Sequence, residues 1–204
     1  SSASAGPFVV AKAPTSVTAL GLTTVGATLT ATIGGKTQPL LQEAVRFTVS
    51  ATAGSPVLKE TWVITDYLGR APLPPTGLAV GTYVVKAEFA GNATYTPASA
   101  SQTLRIDAQA INFDFGPGFE DSITYPGSVT FTVASTSGQP VTVGLVPDPS
   151  PFCTLTSAPV TNGTQYTLTA TAAGLCRIVA TAGETTTYAE VTVTRDVAIK
   201  VAQV

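Results

Sequence analysis

Two cysteines, Cys153 and Cys176, are the most reactive side chains in a chain that has no histidine and no methionine. Two thiols permit one disulfide. The alternation around them puts Cys153 in phase with Leu155 and Cys176 in phase with Ile178 and Ala180, so both point inward from neighbouring strands. The pair reads first as a structural disulfide, which favours an oxidising compartment. Closing a segment of this length stabilises a fold by about 3.4 kcal/mol on the chain-entropy estimate. Two inert buried thiols are the alternative, and a reactive or metal-binding pair is least favoured, because no third ligand and no histidine accompany it.

Acidic side chains offer a second chemistry. Asp107, Asp114, Glu120, Asp121 and Asp148 lie in turn-like stretches where a calcium ion could bind, but calcium wants about six to eight oxygens, and no EF-hand-like spacing supplies them. Solvated turn acids are the plainer reading, and no cofactor is expected beyond that calcium possibility. Glycoside hydrolysis would need two carboxylates about 5 to 10 Å apart across a cleft, and nothing sets one pair apart. Serine is plentiful, yet it has no histidine partner and no Gly-x-Ser-x-Gly elbow, so the chain reads as no enzyme. Lys59 and Lys86 have no marked acidic neighbour that would suggest an isopeptide bond. Asn92-Ala-Thr94 and Asn162-Gly-Thr164 match the glycosylation acceptor pattern and read first as turns.

Aromatic residues are the remaining route to binding. Trp62, the only tryptophan, sits in TWVIT, where alternation leaves either Trp62 with Ile64 or Val63 in the core. A lone tryptophan in such a strand reads first as core, with an exposed platform for sugar contact as the alternative. Phe113, Phe115 and Phe119 in INFDFGPGF are expected to seal the top of the second module and its joint with the first.

The elements that must position these residues are strands. Of 204 residues, 44% are hydrophobic and 11% charged, and ten bases against twelve acids give a net charge of −2. Such a chain folds, and its scattered bases leave no footprint for nucleic acid. No apolar run reaches the length of a membrane helix, and no signal-peptide pattern is present. The start SSASAG without an initiator methionine suggests a processed or excised piece of a longer chain.

Period-two runs recur at 27–33, 45–49, 61–65, 82–89 and 102–106, then at 128–133, 140–145, 165–171, 176–181 and 188–194, separated by Gly, Pro, Asn and Ser. In SVTFTV, Val129, Phe131 and Val133 share one face while Thr130 and Thr132 share the other, as a strand between core and water requires. Alternation alone does not choose between barrel and sandwich. An internal repeat decides more. Lys86-Ala-Glu-Phe-Ala-Gly-Asn-Ala-Thr-Tyr95 has its counterpart in Ile178-Val-Ala-Thr-Ala-Gly-Glu-Thr-Thr-Thr-Tyr188, with Gly91 and Gly183 separated by 92 residues and Tyr95 and Tyr188 by 93. Tandem β-sandwich modules have this signature. The expected boundary splits the chain into 1–107, with a lead-in where Val9 and Val10 pair at an edge, and 108–204, which holds both cysteines. The short seam lacks a Gly/Ser tract, so the modules are expected to sit end to end with limited freedom. Gly91, Tyr95, Gly183 and Tyr188 are read as structural turn residues.

The first module resembles the bacterial immunoglobulin-like repeat domains found in tandem in secreted and surface proteins. The likeness rests on ATLTATI, VRFTV and LAVGTYVVKAEFAGNATYTPASASQTLRI. The second is similar to another subtype, in which SGQPVTV precedes a Cys, a strand, a Gly and a second Cys, here Ser137 to Val143, Cys153, Tyr166 to Ala170, Gly174 and Cys176. It departs from that subtype in the proline-rich VPDPSPFC and in lacking an Asn before Tyr188. Together the matches span roughly residues 15 to 195.

The resemblance implies an all-β chain of two tandem immunoglobulin-like Greek-key β-sandwiches, with no catalytic residues. The expected role is a non-catalytic extracellular spacer, display or adhesive module of a larger bacterial surface or secreted protein. The alternative is a carbohydrate-binding accessory module of a secreted hydrolase, with Trp62 as the ligand-contact aromatic. Other domains of the same polypeptide and a protein or glycan receptor are the expected partners.

Overall fold

The computed structural model describes residues 12–19, 25–148, 150–160 and 163–202, so the expected pairing of Val9 and Val10 and the asparagine at 162 lie outside the described residues. Among the described residues every regular element is a strand. The chain divides into two compact units, Ser1–Thr76 with Gly81–Ile106 and Gly77–Val80 with Asp107–Val204.

The first unit has two four-stranded sheets. One contains β1 (Thr15–Ala19), β2 (Gly26–Ile33) and β3 (Lys36–Pro39), with β6 (Arg70–Pro72) also paired to β2. The other has the order β5-β4-β7-β8, formed by β4 (Ala44–Ser50), β5 (Val57–Ile64), β7 (Gly81–Phe89) and β8 (Ala98–Ile106). Leu29 and Ala31 of the first sheet and Phe47, Val85 and Leu104 of the second are buried, while the threonines between them in β2 are less so. The β2–β3 hairpin turns on Gly34 and Gly35, whose φ of 57° and 77° are both positive, as a two-residue type I′ turn demands.

In the second unit, β9 (Ile111–Asp114), β11 (Ser128–Ser135), β13 (Cys153–Val160) and β14 (Gly163–Ala170) make a sheet in the order β13-β14-β11-β9. The other sheet, β10-β16-β15-β12, comprises β10 (Ser122–Tyr125), β12 (Val141–Leu145), β15 (Gly174–Ala182) and β16 (Val191–Val201). All its pairings are antiparallel except β10 with β16, which run parallel. Phe131, Leu168 and Cys153 from one sheet meet Cys176, Ile178, Val197 and Ile199 from the other in a single core. Phe113, Phe115 and Phe119 pack on it, with the Phe115 ring centroid 4.3 Å from Phe119 and 4.6 Å from Phe131.

Cys153 and Cys176 form a disulfide with a Cα–Cα separation of 6.0 Å. The two residues do not lie on neighbouring paired strands, as alternation had suggested, because β13 and β15 belong to opposite sheets. The bond therefore ties one sheet to the other through the core.

Several strands differ from the sequence reading for local reasons. β8 begins at Ala98, ahead of the apolar run, because the Ala-Ser-Ala-Ser stretch alternates without large side chains. β16 begins at Val191 and continues to Val201; the apolar pattern breaks at Arg195, which reaches across to Asp121 at 2.7 Å. Asp114 caps its own turn through Gly116 N–H at 2.9 Å.

The internal repeat is a repeated turn. In the first unit Asn92 N–H donates to the Tyr95 carbonyl at 3.1 Å, and the Asn92 side-chain oxygen accepts from the N–H groups of Thr94 and Tyr95. In the second, Thr185 N–H donates to the Tyr188 carbonyl at 2.9 Å, and Thr185 Oγ1 accepts from the N–H groups of Thr187 and Tyr188. A threonine hydroxyl thus takes the place of the asparagine oxygen, as turn-forming side chains of both kinds do.

The two glycines, however, are not equivalent. Gly91 has φ 77°, and a Cβ there would meet Pro97 N at 2.8 Å and the Tyr95 carbonyl oxygen at 2.9 Å; Gly183 lacks a positive φ and a Cβ there would meet nothing within 4 Å. Gly91→Ala is expected to cost about 1–3 kcal/mol, and Gly183→Ala to change stability by no more than about 0.5 kcal/mol. Urea unfolding followed by Trp62 fluorescence for the first and near-ultraviolet circular dichroism for the second checks the contrast.

Candidate functional site

Trp62 lies on β5, an edge strand of its sheet, whose only strand partner among the described residues is β4. It is 57% exposed, which corrects the first sequence reading of a core residue. Register explains the outcome. Val63 sits opposite Val45 and Thr61 opposite Phe47, both fully buried, so that side of β5 faces the core and Trp62 with Ile64 faces outward.

From β5 a row of four directly paired residues runs across the outward face of the sheet. Trp62 lies opposite Arg46, Arg46 opposite Glu88, and Glu88 opposite Ser99, one residue from each of β5, β4, β7 and β8. Neighbouring strands are about 4.8 Å apart, so the row presents an indole, a guanidinium, a carboxylate and a hydroxyl in sequence across one face. Arg46 contacts Glu60 at 2.9 Å and Glu88 at 3.7 Å, and Lys86 contacts Glu88 at 2.6 Å. The base of the guanidinium is packed in, since Arg46 Nε is buried without a hydrogen-bond partner.

Arg46, Glu60, Trp62, Glu88 and Ser99 line an open depression of about 520 Å³. Its far wall is Phe89, Ala90, Pro97 and Ala98, the strand ends flanking the Asn92 turn. That turn is fastened to the start of β4, because Asn92 Nδ2 donates to Glu43 Oε1 at 2.9 Å. Gly91 and Tyr95 thus shape the wall of the depression through the backbone. A second depression, about 280 Å³ beside Asp148, Ser150 and Cys153, is lined by no aromatic side chain among the described residues.

Hydrogen bonding from Arg46 holds the Glu60 carboxyl below its ordinary value; the Arg46 charge and the Trp62 indole act in the same sense, and desolvation opposes them. The contribution of this pair to stability is present above the ordinary carboxylate pKa and is lost as pH falls through the lowered folded-state value. Arg46→Ala is expected to return the Glu60 midpoint to the ordinary range, read from the side-chain carboxyl carbon by NMR titration. In the second unit, Arg177 lowers Asp196 in the same way, through two hydrogen bonds of 2.7 and 2.9 Å.

The other sequence candidates do not gather. Among the described residues no group of three or more Asp, Glu or Cys side chains is placed to hold a metal ion, and Asp121 is committed to Arg195. Lys86 pairs with Glu88, and the Asn92 amide is engaged at both its oxygen and its nitrogen. Among the described residues no helix is long and apolar enough to cross a membrane.

No family model matches this chain, and no curated protein matches it. Among solved structures, similarity is found to domains 1–6 of the surface layer protein SbsC, at 14% identity and TM-score 0.32, over 89% of this chain and 24% of that one. A structure of SbsC domains 4 and 5 matches at 16% identity and TM-score 0.28, over 88% of this chain and 83% of that one. A tetra-tandem repeat from the extending region of a large adhesion protein matches at 18% identity and TM-score 0.30, over 92% and 49%. The chain thus spans about a quarter of the length of the first of these.

Proposed function

We propose that the chain is a non-catalytic structural segment of a larger extracellular or surface-displayed bacterial protein. In this reading its two units are immunoglobulin-like Greek-key sandwiches, divided near Asp107, that space or display neighbouring parts of the same polypeptide. The observation that carries it is a main-chain clamp present in both units. Ala13 N–H donates to the Thr94 carbonyl and the Ala13 carbonyl accepts from Thr96; Asp107 N–H donates to the Thr187 carbonyl and the Asp107 carbonyl accepts from Ala189. In each unit a residue just ahead of the first strand, Ala13 or Asp107, is held in a parallel bridge by the turn that precedes the last strand. The second unit adds the parallel β10–β16 pairing, and buried Gln109 donates to the carbonyls of Gly183 and Ala189. Tension between the two ends of such a unit loads these hydrogen bonds in shear, several at a time, which suits a segment whose task is to hold position.

The test is a display assay, with the chain inserted between a bacterial surface anchor and an antibody epitope. The expected result is an epitope more accessible than behind a glycine-serine linker of equal residue number. Equal masking by both contradicts the reading.

A second reading, an accessory module that holds a secreted hydrolase on carbohydrate, is favoured by the exposure of Trp62 beside a depression lined with hydrogen-bonding groups.

A further inference from the structure

We propose that the depression beside Trp62 binds a neutral pyranose unit of a glycan, stacked on the indole and hydrogen-bonded along the Arg46–Glu88–Ser99 row. The inference rests on the accessory-module reading and assigns it a site and a ligand class. A pyranose ring has an apolar face of C–H bonds and a rim of hydroxyls. The C–H face complements the negative face of an aromatic ring, and the rim needs donors and acceptors held close to that ring. Trp62 supplies the first, and the carboxylates of Glu60 and Glu88, the guanidinium of Arg46 and the hydroxyl of Ser99 supply the second. At about 520 Å³ the depression lies within the usual range of small-molecule sites.

Charge selects the ligand class. Arg46 is shared between Glu60 and Glu88, and Lys86 lies on Glu88, so two cations and two carboxylates compensate one another across the face. An anionic or cationic sugar would have to separate one of these pairs, whereas a neutral polyol uses the lone pairs and N–H groups that the pairs leave over. Arg46 and Glu88 stand on β4 and β7, the inner strands of the sheet, and are set before a ligand arrives.

The exposed apolar residues of β5 do not instead mark strand addition by a partner. Lys59 stands opposite buried Val49 on the inward side of this edge, and the register shifts between Val49 and Ser50. Inward charges and bulges are devices that keep edges unpaired.

The experiment titrates the intact chain with cellotetraose, maltotetraose, xylotetraose and chitotetraose, and with a heparin-derived tetrasaccharide as the charged comparison. The chain's only tryptophan reports on the site directly, and calorimetry follows variants that lack it. At least one neutral tetraose is expected to give a saturable shift in Trp62 emission with a Kd of about 1 mM or tighter. Trp62→Ala should weaken its binding about tenfold or more, and Trp62→Phe should retain part of it, with circular dichroism unchanged in both. Binding of a neutral tetraose that survives Trp62→Ala overturns the site and leaves the accessory reading standing. A response to the heparin fragment alone overturns the neutral class. Binding to none of the five overturns the site and the accessory reading together and leaves the spacer reading untouched.

Discussion

Replacing Phe131 with alanine is expected to lower the stability of the second unit by about 3–5 kcal/mol, the usual range for emptying a fully packed aromatic position. Phe131 is 2% exposed, and its ring lies 4.6 Å from Phe115, 6.1 Å from Phe113 and 5.5 Å from Tyr166, centroid to centroid. Removing it takes away the ring against which Phe113 and Phe115 pack and opens a hole in the buried cluster on which Phe119 also packs. A domain of this size has about 5–15 kcal/mol in total, so the variant is left near the margin. Two-wavelength thermal unfolding separates the units, because the only tryptophan is in the first: the Trp62 transition is expected to stay in place while the near-ultraviolet aromatic signal of the second unit melts early. A change under about 1 kcal/mol would mean that the aromatic stack is not the core of that unit.

Loss of the Cys153–Cys176 bond is the second large effect. Both cysteines are essentially fully buried, and the bond joins β13 to β15, one from each sheet. Its removal frees the unfolded chain of a closed loop and unties the two sheets of the native state, and about 3 kcal/mol is expected to be lost. The double variant Cys153→Ala, Cys176→Ala should therefore melt about 10–25 °C below the parent in the second unit, again with the Trp62 transition unmoved. Mild reduction of the native protein should be slow, since neither sulfur is exposed to an attacking thiolate.

Much of this was legible in the sequence. The alternation of TYVVKAEF places Val85, Ala87 and Phe89 inside, where they are buried, and the cysteine phases point both thiols into the core, where they meet. Trp62 marks the limit of that reasoning. Alternation offers two faces for TWVIT and cannot choose between them, because the choice depends on which residues of β4 lie opposite; Val45 and Phe47 turn the Val63 side inward. The row from Trp62 to Ser99 was not legible either, since it joins four strands separated by up to 53 positions and exists only through register. The parallel β10–β16 pair is hidden for a similar reason: SITY is four residues long and has no period to read. The missing asparagine before Tyr188 is a departure from the subtype that the second module resembles, and Thr185 supplies the turn with a different oxygen.

The central claim, that the chain is a load-holding pair of separately folded units, is tested most directly by pulling one molecule from its two ends. Two discrete unfolding events are expected in the oxidised protein. After reduction, one event should lengthen by the 23-residue separation of Cys153 and Cys176, which at about 3.5 Å per residue is about 80 Å, while the other keeps its length. Extension without discrete events, or a single event whose length does not respond to reduction, would contradict it.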